Sequence, residues 1–104
     1  MNEDIHVAYL GERGLTVFVE GLSDCSGVDT IARFFCKRFR ASILDEIEGP
    51  DARVVAMRIE DHSIVVSYDD LLGTKVYSHD PCGEHFVLEL AESLREFLKD
   101  YHEM

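Results

Sequence analysis

Apolar residues along this chain fall into two rhythms, one extended and one helical. Ile5-His6-Val7-Ala8-Tyr9-Leu10 and Leu15-Thr16-Val17-Phe18-Val19-Glu20 are rich in β-branched and aromatic residues. The link between them, Gly11-Glu12-Arg13-Gly14, offers glycines for positive φ, so the pair predicts a hairpin. Gly21 to Gly27 then reads as a turn, with Ser23, Asp24 and Ser26 as candidate caps and Cys25 in the same loop.

From about Val28 to Arg40 the period changes. Val28, Ile31, Ala32, Phe35 and Phe39 form one helical stripe, flanked by Phe34 and Cys36, with Arg33, Lys37 and Arg40 on the other side. The following stretch reads two ways. Ile43 and Ile47 continue the stripe towards a stop at Gly49-Pro50, yet Ile43-Leu44-Asp45-Glu46-Ile47 also suits a strand entering a turn at Gly49-Pro50-Asp51-Ala52. The strand is preferred, because the next segment needs a neighbour to pair with.

Arg53 to Ile59 and Ser63 to Tyr68 are extended runs around a polar turn, Glu60-Asp61-His62. Asp69-Asp70-Leu71-Leu72-Gly73 turns the chain into Thr74-Lys75-Val76-Tyr77-Ser78. A last helix, about Pro81 to Tyr101, carries Val87, Leu90, Ala91, Leu94, Phe97, Leu98 and Tyr101 inward. Glu89, Glu92, Arg95, Glu96 and Lys99 face outward on the same helix.

The order is β-β-α-β-β-β-β-α, and short links make the pairing antiparallel. The expected fold is α+β: an antiparallel sheet of about five or six strands with two helices on one face. All 104 residues fit a single domain. On the uncovered face Val54, Ala56, Val65 and Tyr77 would form an apolar patch, through which a homodimer is possible.

Charge narrows the classes of partner. Ten Lys and Arg face 21 Asp and Glu, for a formal charge of -11. That field repels nucleic acid and anionic lipid and favours cations or a basic protein surface. Arg33, Lys37, Arg38 and Arg40 are a local basic exception, too short for a nucleic-acid surface. Met1-Asn2-Glu3-Asp4 is acidic where a signal peptide would be basic, and no apolar run approaches a membrane span. Three cysteines without a secretory context are expected as reduced thiols, so the expected location is the cytoplasm.

The densest chemistry lies in Ser78-His79-Asp80-Pro81-Cys82-Gly83-Glu84-His85. Asp80 before Pro81 reads as an N-cap with proline at the first helical position, and Glu84 suits the helix dipole. The same stretch offers His79, Cys82 and His85 as soft-metal ligands, with Cys82 placed where a helix start lowers a thiol pKa. A structural zinc site wants a fourth ligand, so the helix start is the preferred reading and no cofactor is assigned. No nucleophile elbow, phosphate loop or calcium loop occurs, and no catalytic constellation is present in the sequence.

Glu48-Gly49-Pro50-Asp51-Ala52-Arg53-Val54, then Tyr68-Asp69-Asp70, Leu72-Gly73 and a closing amphipathic helix resemble small bacterial domains to which no activity is attached. The end of the chain, from Ser78 through His85 to Leu90, also resembles the close of frataxins. Frataxins begin with an acidic helix and carry tryptophan on the sheet. This chain begins with a hairpin and has no Trp, which sets that likeness aside.

The function expected from these residues is a small acidic binding module for a basic partner, as in immunity or inhibitor proteins. Asp45, Glu46, Glu48, Asp51, Asp69 and Asp70 are its candidate contacts, gathered by turns at one end of the sheet. The alternative is a metal-linked or redox protein working through Cys82 with His79 and His85.

Overall fold

In the computed structural model, described for residues 5–9, 15–19, 25–50, 52–71, 73–78 and 84–103, the extended runs form one sheet. Its strands are β1 (Ile5–Tyr9), β2 (Leu15–Val19), β3 (Ser42–Glu48), β4 (Ala52–Ile59), β5 (His62–Asp69) and β6 (Gly73–Ser78). The helices are α1 (Cys25–Phe39) and α2 (Glu84–Glu103). Every strand pairing is antiparallel, and the spatial order is β1-β2-β6-β5-β4-β3. This is the expected α+β architecture.

Period-two alternation selects the core face. Val55, Met57 and Ile59 of β4 pair with Val66, Ile64 and His62 of β5, and Val66 pairs in turn with Val76 of β6. Val76 meets Val17 of β2, which closes the apolar row across four strands. Val28, Ile31 and Phe35 of α1 and Leu90, Leu94 and Leu98 of α2 complete one buried cluster with these residues. Both helices therefore lie on the same face of the sheet. Glu89, Glu92, Arg95, Glu96 and Lys99 are exposed, as the helical stripe requires.

The helix that threatened to run on through Ile47 stops at Phe39. Arg40 adopts φ 57, a left-handed conformation that ends a right-handed helix and costs a non-glycine residue roughly 1–2 kcal/mol. The Ala41 N–H closes back on the Phe35 carbonyl at 3.4 Å. Freed from the helix, Ser42–Glu48 pairs with β4, with a register shift between Ile43 and Asp45 that leaves Leu44 as a bulge.

Several boundaries differ from expectation. Helix α1 begins at Cys25, so Cys25 and Ser26 are helical rather than part of a capping loop. His62 opens β5 instead of sitting in the turn, and its ring stacks on Phe86 of α2 at 4.6 Å between centroids. The described part of the closing helix starts at Glu84. The Asp80 cap, Pro81 and Cys82 lie outside the described residues.

The register does place Val54, Ala56, Val65 and Tyr77 together on the face opposite the helices. They are not the exposed patch that was expected, because Val65 and Tyr77 are buried and Val54 and Ala56 half-buried. Thr16, Ser67 and Lys75 lie among them and are buried as well.

Candidate functional site

Among the described residues β3 is an edge strand of the sheet, paired with β4 alone. All seven residues of β3 are exposed, including the large apolar side chains of Ile43, Leu44 and Ile47. Between the apolar residues stand Asp45, Glu46 and Glu48. Alternation sends Glu46 and Glu48 to the helix-bearing face, opposite Val55 and Arg53, while Asp45 and Ile47 share the other face with Ala56 and Val54.

Arg53 organises the helix-bearing side. Its Nε and Nη2 donate to Asp29 Oδ1 of α1 at 3.0 and 2.8 Å, and Nη2 also donates to Glu46 Oε1 at 2.7 Å. Glu48 Oε1 stands 3.8 Å from Nη1. Three carboxylates thus converge on one guanidinium, whose side chain is largely buried. Hydrogen bonds from Asp29 first and Glu46 second hold the Arg53 pKa above its ordinary value, against the opposing pull of burial. The local charge stays negative, since one cation faces three anions.

Beside this hub a cleft of about 230 Å³ runs between α1 and β3, lined by Asp29, Ala32, Arg33, Cys36, Ile43, Glu46 and Val55. Ala32, Ile43 and Val55 give it apolar surface, and Asp29, Arg33 and Glu46 give it charge of both signs. Cys36, a free thiol half-buried against the core, is one wall.

The turn after β5 lies at the same end of the sheet as the turn after β3, because Glu48 pairs with Arg53, Arg53 with Tyr68 and Tyr68 with Thr74. Asp69 ends β5 and Asp70 follows in the turn, so both share that end of the sheet with Glu48, while Glu46 and Asp45 lie further along the β3 edge. Asp51 lies outside the described residues. Their chemistry is not uniform. Asp69 Oδ2 accepts from the buried Lys75 ammonium at 2.7 Å, and Asp69 Oδ1 accepts from the Leu71 N–H at 3.0 Å. Asp70 Oδ1 accepts from the Tyr68 hydroxyl at 3.3 Å. Asp45 Oδ1 accepts from the Glu46 N–H at 2.9 Å.

Of the alternative set, His79 and Cys82 lie outside the described residues, and His85 is exposed in the first turn of α2. Among the described residues no three His, Cys, Asp or Glu gather closely enough to hold a metal ion. Nor is any described helix long and apolar enough to cross a membrane.

Asp29, Arg53 and Lys75 are the charged residues that the candidate set omitted. Arg53 carried a signal: it occupies the same alternating row as Val55, Met57 and Ile59, where a charge requires partners. Asp29 carried none, since its partner is distant in sequence.

No family model, curated protein or solved structure matches this chain.

Proposed function

We propose that the chain is a small acidic binding module that covers a basic protein surface, in the manner of an immunity or inhibitor protein. The observation that carries the reading is the acidic edge: Asp45, Glu46 and Glu48 stand exposed along β3, with Asp69 and Asp70 on the adjoining end of the sheet. Arg53 neutralises only part of this charge. A surface of this sign, on a chain of formal charge -11, accelerates encounter with a cationic protein and disfavours nucleic acid. Rim carboxylates act mainly on the association rate, so single reversals have small effects and combined ones large effects.

The test is affinity purification from the native host with cross-linking, comparing wild type with Asp45→Lys/Glu48→Lys. These two positions are preferred to Asp69, whose carboxylate holds a buried lysine. A basic protein captured by wild type, released by salt and lost in the double variant supports the reading. Capture of the same set by both baits, or of proteins without a basic surface, would overturn it.

A further inference from the structure

The exposed face of β3 is more than a charged surface, because among the described residues β3 is also a strand paired on one side only. β3 pairs with β4 on one side and ends the strand order on the other. Natural edges are commonly blunted by bulges, charges or short length. β3 has the Leu44 bulge and three carboxylates, but it is seven residues long and presents Ile43, Leu44 and Ile47 at 48%, 56% and 59% exposure. Such exposed side chains on an open edge suit a partner strand better than they suit solvent.

A second copy of this chain is a poor occupant. Antiparallel pairing of two β3 strands in full overlap sets Asp45 opposite Asp45 and brings all three carboxylates of each copy into one ladder. Like charges directly opposite are destabilising. An extended segment with Lys or Arg at alternate positions avoids that repulsion and sets its cations on the face that carries Glu46 and Glu48.

We infer that β3 accepts an extended basic segment of the partner as an added strand, with main-chain hydrogen bonds to β3 and alternate basic side chains beside Glu46 and Glu48 on the helix-bearing face. The inference rests on the acidic-module reading and specifies how that partner is held. Pairing supplies backbone affinity and alternate side chains supply selectivity, the division seen wherever a peptide extends a sheet. Every second side chain of the segment projects over the helix-bearing face, where the cleft between α1 and β3 lies. Its apolar lining of Ala32, Ile43 and Val55 takes an aliphatic stem, and the Glu46 and Glu48 carboxylates on the same face of β3 are within reach of the cationic head.

The probe is a synthetic Lys-Val repeat long enough to span Ser42–Glu48, added to the full chain. A second peptide of the same sequence, N-methylated at alternate amides, keeps the charge and removes ladder donors. Backbone amide shifts and hydrogen-exchange protection along Ser42–Glu48 should appear with the first peptide. The N-methylated form should bind at least about tenfold more weakly, since each ladder hydrogen bond lost contributes about 1 kcal/mol net. Asp45→Lys/Glu48→Lys should weaken the first peptide by a similar factor.

Equal binding of the two peptides would overturn strand addition while leaving charge-driven binding intact. Shifts centred elsewhere, or no binding of either peptide, would also overturn it; the acidic-module reading would still stand or fall on the host purification. A concentration-dependent dimer abolished by Ile47→Lys would assign the edge to a second copy instead, which likewise overturns the proposal.

Discussion

Replacing Asp69 by alanine should destabilise the fold far more than replacing Lys75 by methionine. The Lys75 side chain is 4% exposed and Asp69 is 38% exposed, with 2.7 Å between Nζ and Oδ2. Removing the carboxylate strands an ammonium in the sheet, and breaking a fully buried pair this way costs about 3–5 kcal/mol. Water reaches the Asp69 end, which places this pair at or below the bottom of that range. The lost Leu71 N–H bond at the turn adds about 1 kcal/mol, for about 3 kcal/mol in all. Lys75→Met keeps the aliphatic stem and leaves only a carboxylate that solvent can reach, so its cost should stay below about 1 kcal/mol. In Asp69→Ala/Lys75→Met the orphan charge is gone, and the loss should fall to about 1 kcal/mol. Urea unfolding followed by circular dichroism measures all four states. With a slope of about 1 kcal/mol per molar urea, Asp69→Ala should lower the midpoint by about 3 M. Equal losses in the two single variants, or no recovery in the double variant, would refute the idea that desolvation of Lys75 dominates this pair.

Two further outcomes follow from the packing and the guanidinium hub. Leu94, 1% exposed on the core-facing side of α2, should cost about 2–5 kcal/mol on Leu94→Ala, and a loss below about 0.5 kcal/mol would remove that face of α2 from the core. Because the Arg53 pKa is raised in the folded state by its carboxylate partners, its contribution is complete below the ordinary arginine value and is lost only as pH rises through the still higher folded value. The difference in urea midpoint between wild type and Arg53→Met should therefore stay constant from about pH 7 to about pH 10, and a decline within that window would contradict the assigned hydrogen bonds.

The elements that bury a face were the ones most legible in the sequence. Arg53 to Ile59 alternates because one side meets α1, and α2 keeps its stripe because Leu90, Leu94 and Leu98 all reach the core. Ser42–Glu48 was ambiguous for the opposite reason: with every residue exposed, nothing enforces a period, and Ile43 and Ile47 mimic a helical spacing. Arg40 in the left-handed region decides the matter, and no glycine announced it. Asp45, Glu46 and Glu48 line the β3 edge and Asp69 and Asp70 lie two strands away at one end of the sheet, and the internal partners of these carboxylates were invisible in the sequence. Asp69 was read as a turn residue and candidate contact, whereas it ends β5 and its counter-ion Lys75 lies in a strand whose residues are buried on both faces. The expected apolar patch failed for a related reason. Register can be inferred from alternation, but the degree of burial on the second face cannot.

The place of β6 in the sheet has a consequence for how the protein is made. Thr16 sits opposite Tyr77, so the amino-terminal hairpin docks on a strand synthesised some sixty residues later. Until β6 leaves the ribosome, β2 has no neighbour except β1, and two strands alone are marginal in water. The β3–β6 meander, by contrast, closes through short local turns. Nascent chains should therefore hold an unpaired hairpin edge through most of their synthesis, and the seam between β2 and β6 closes only when α2, packed across both strands, has been made.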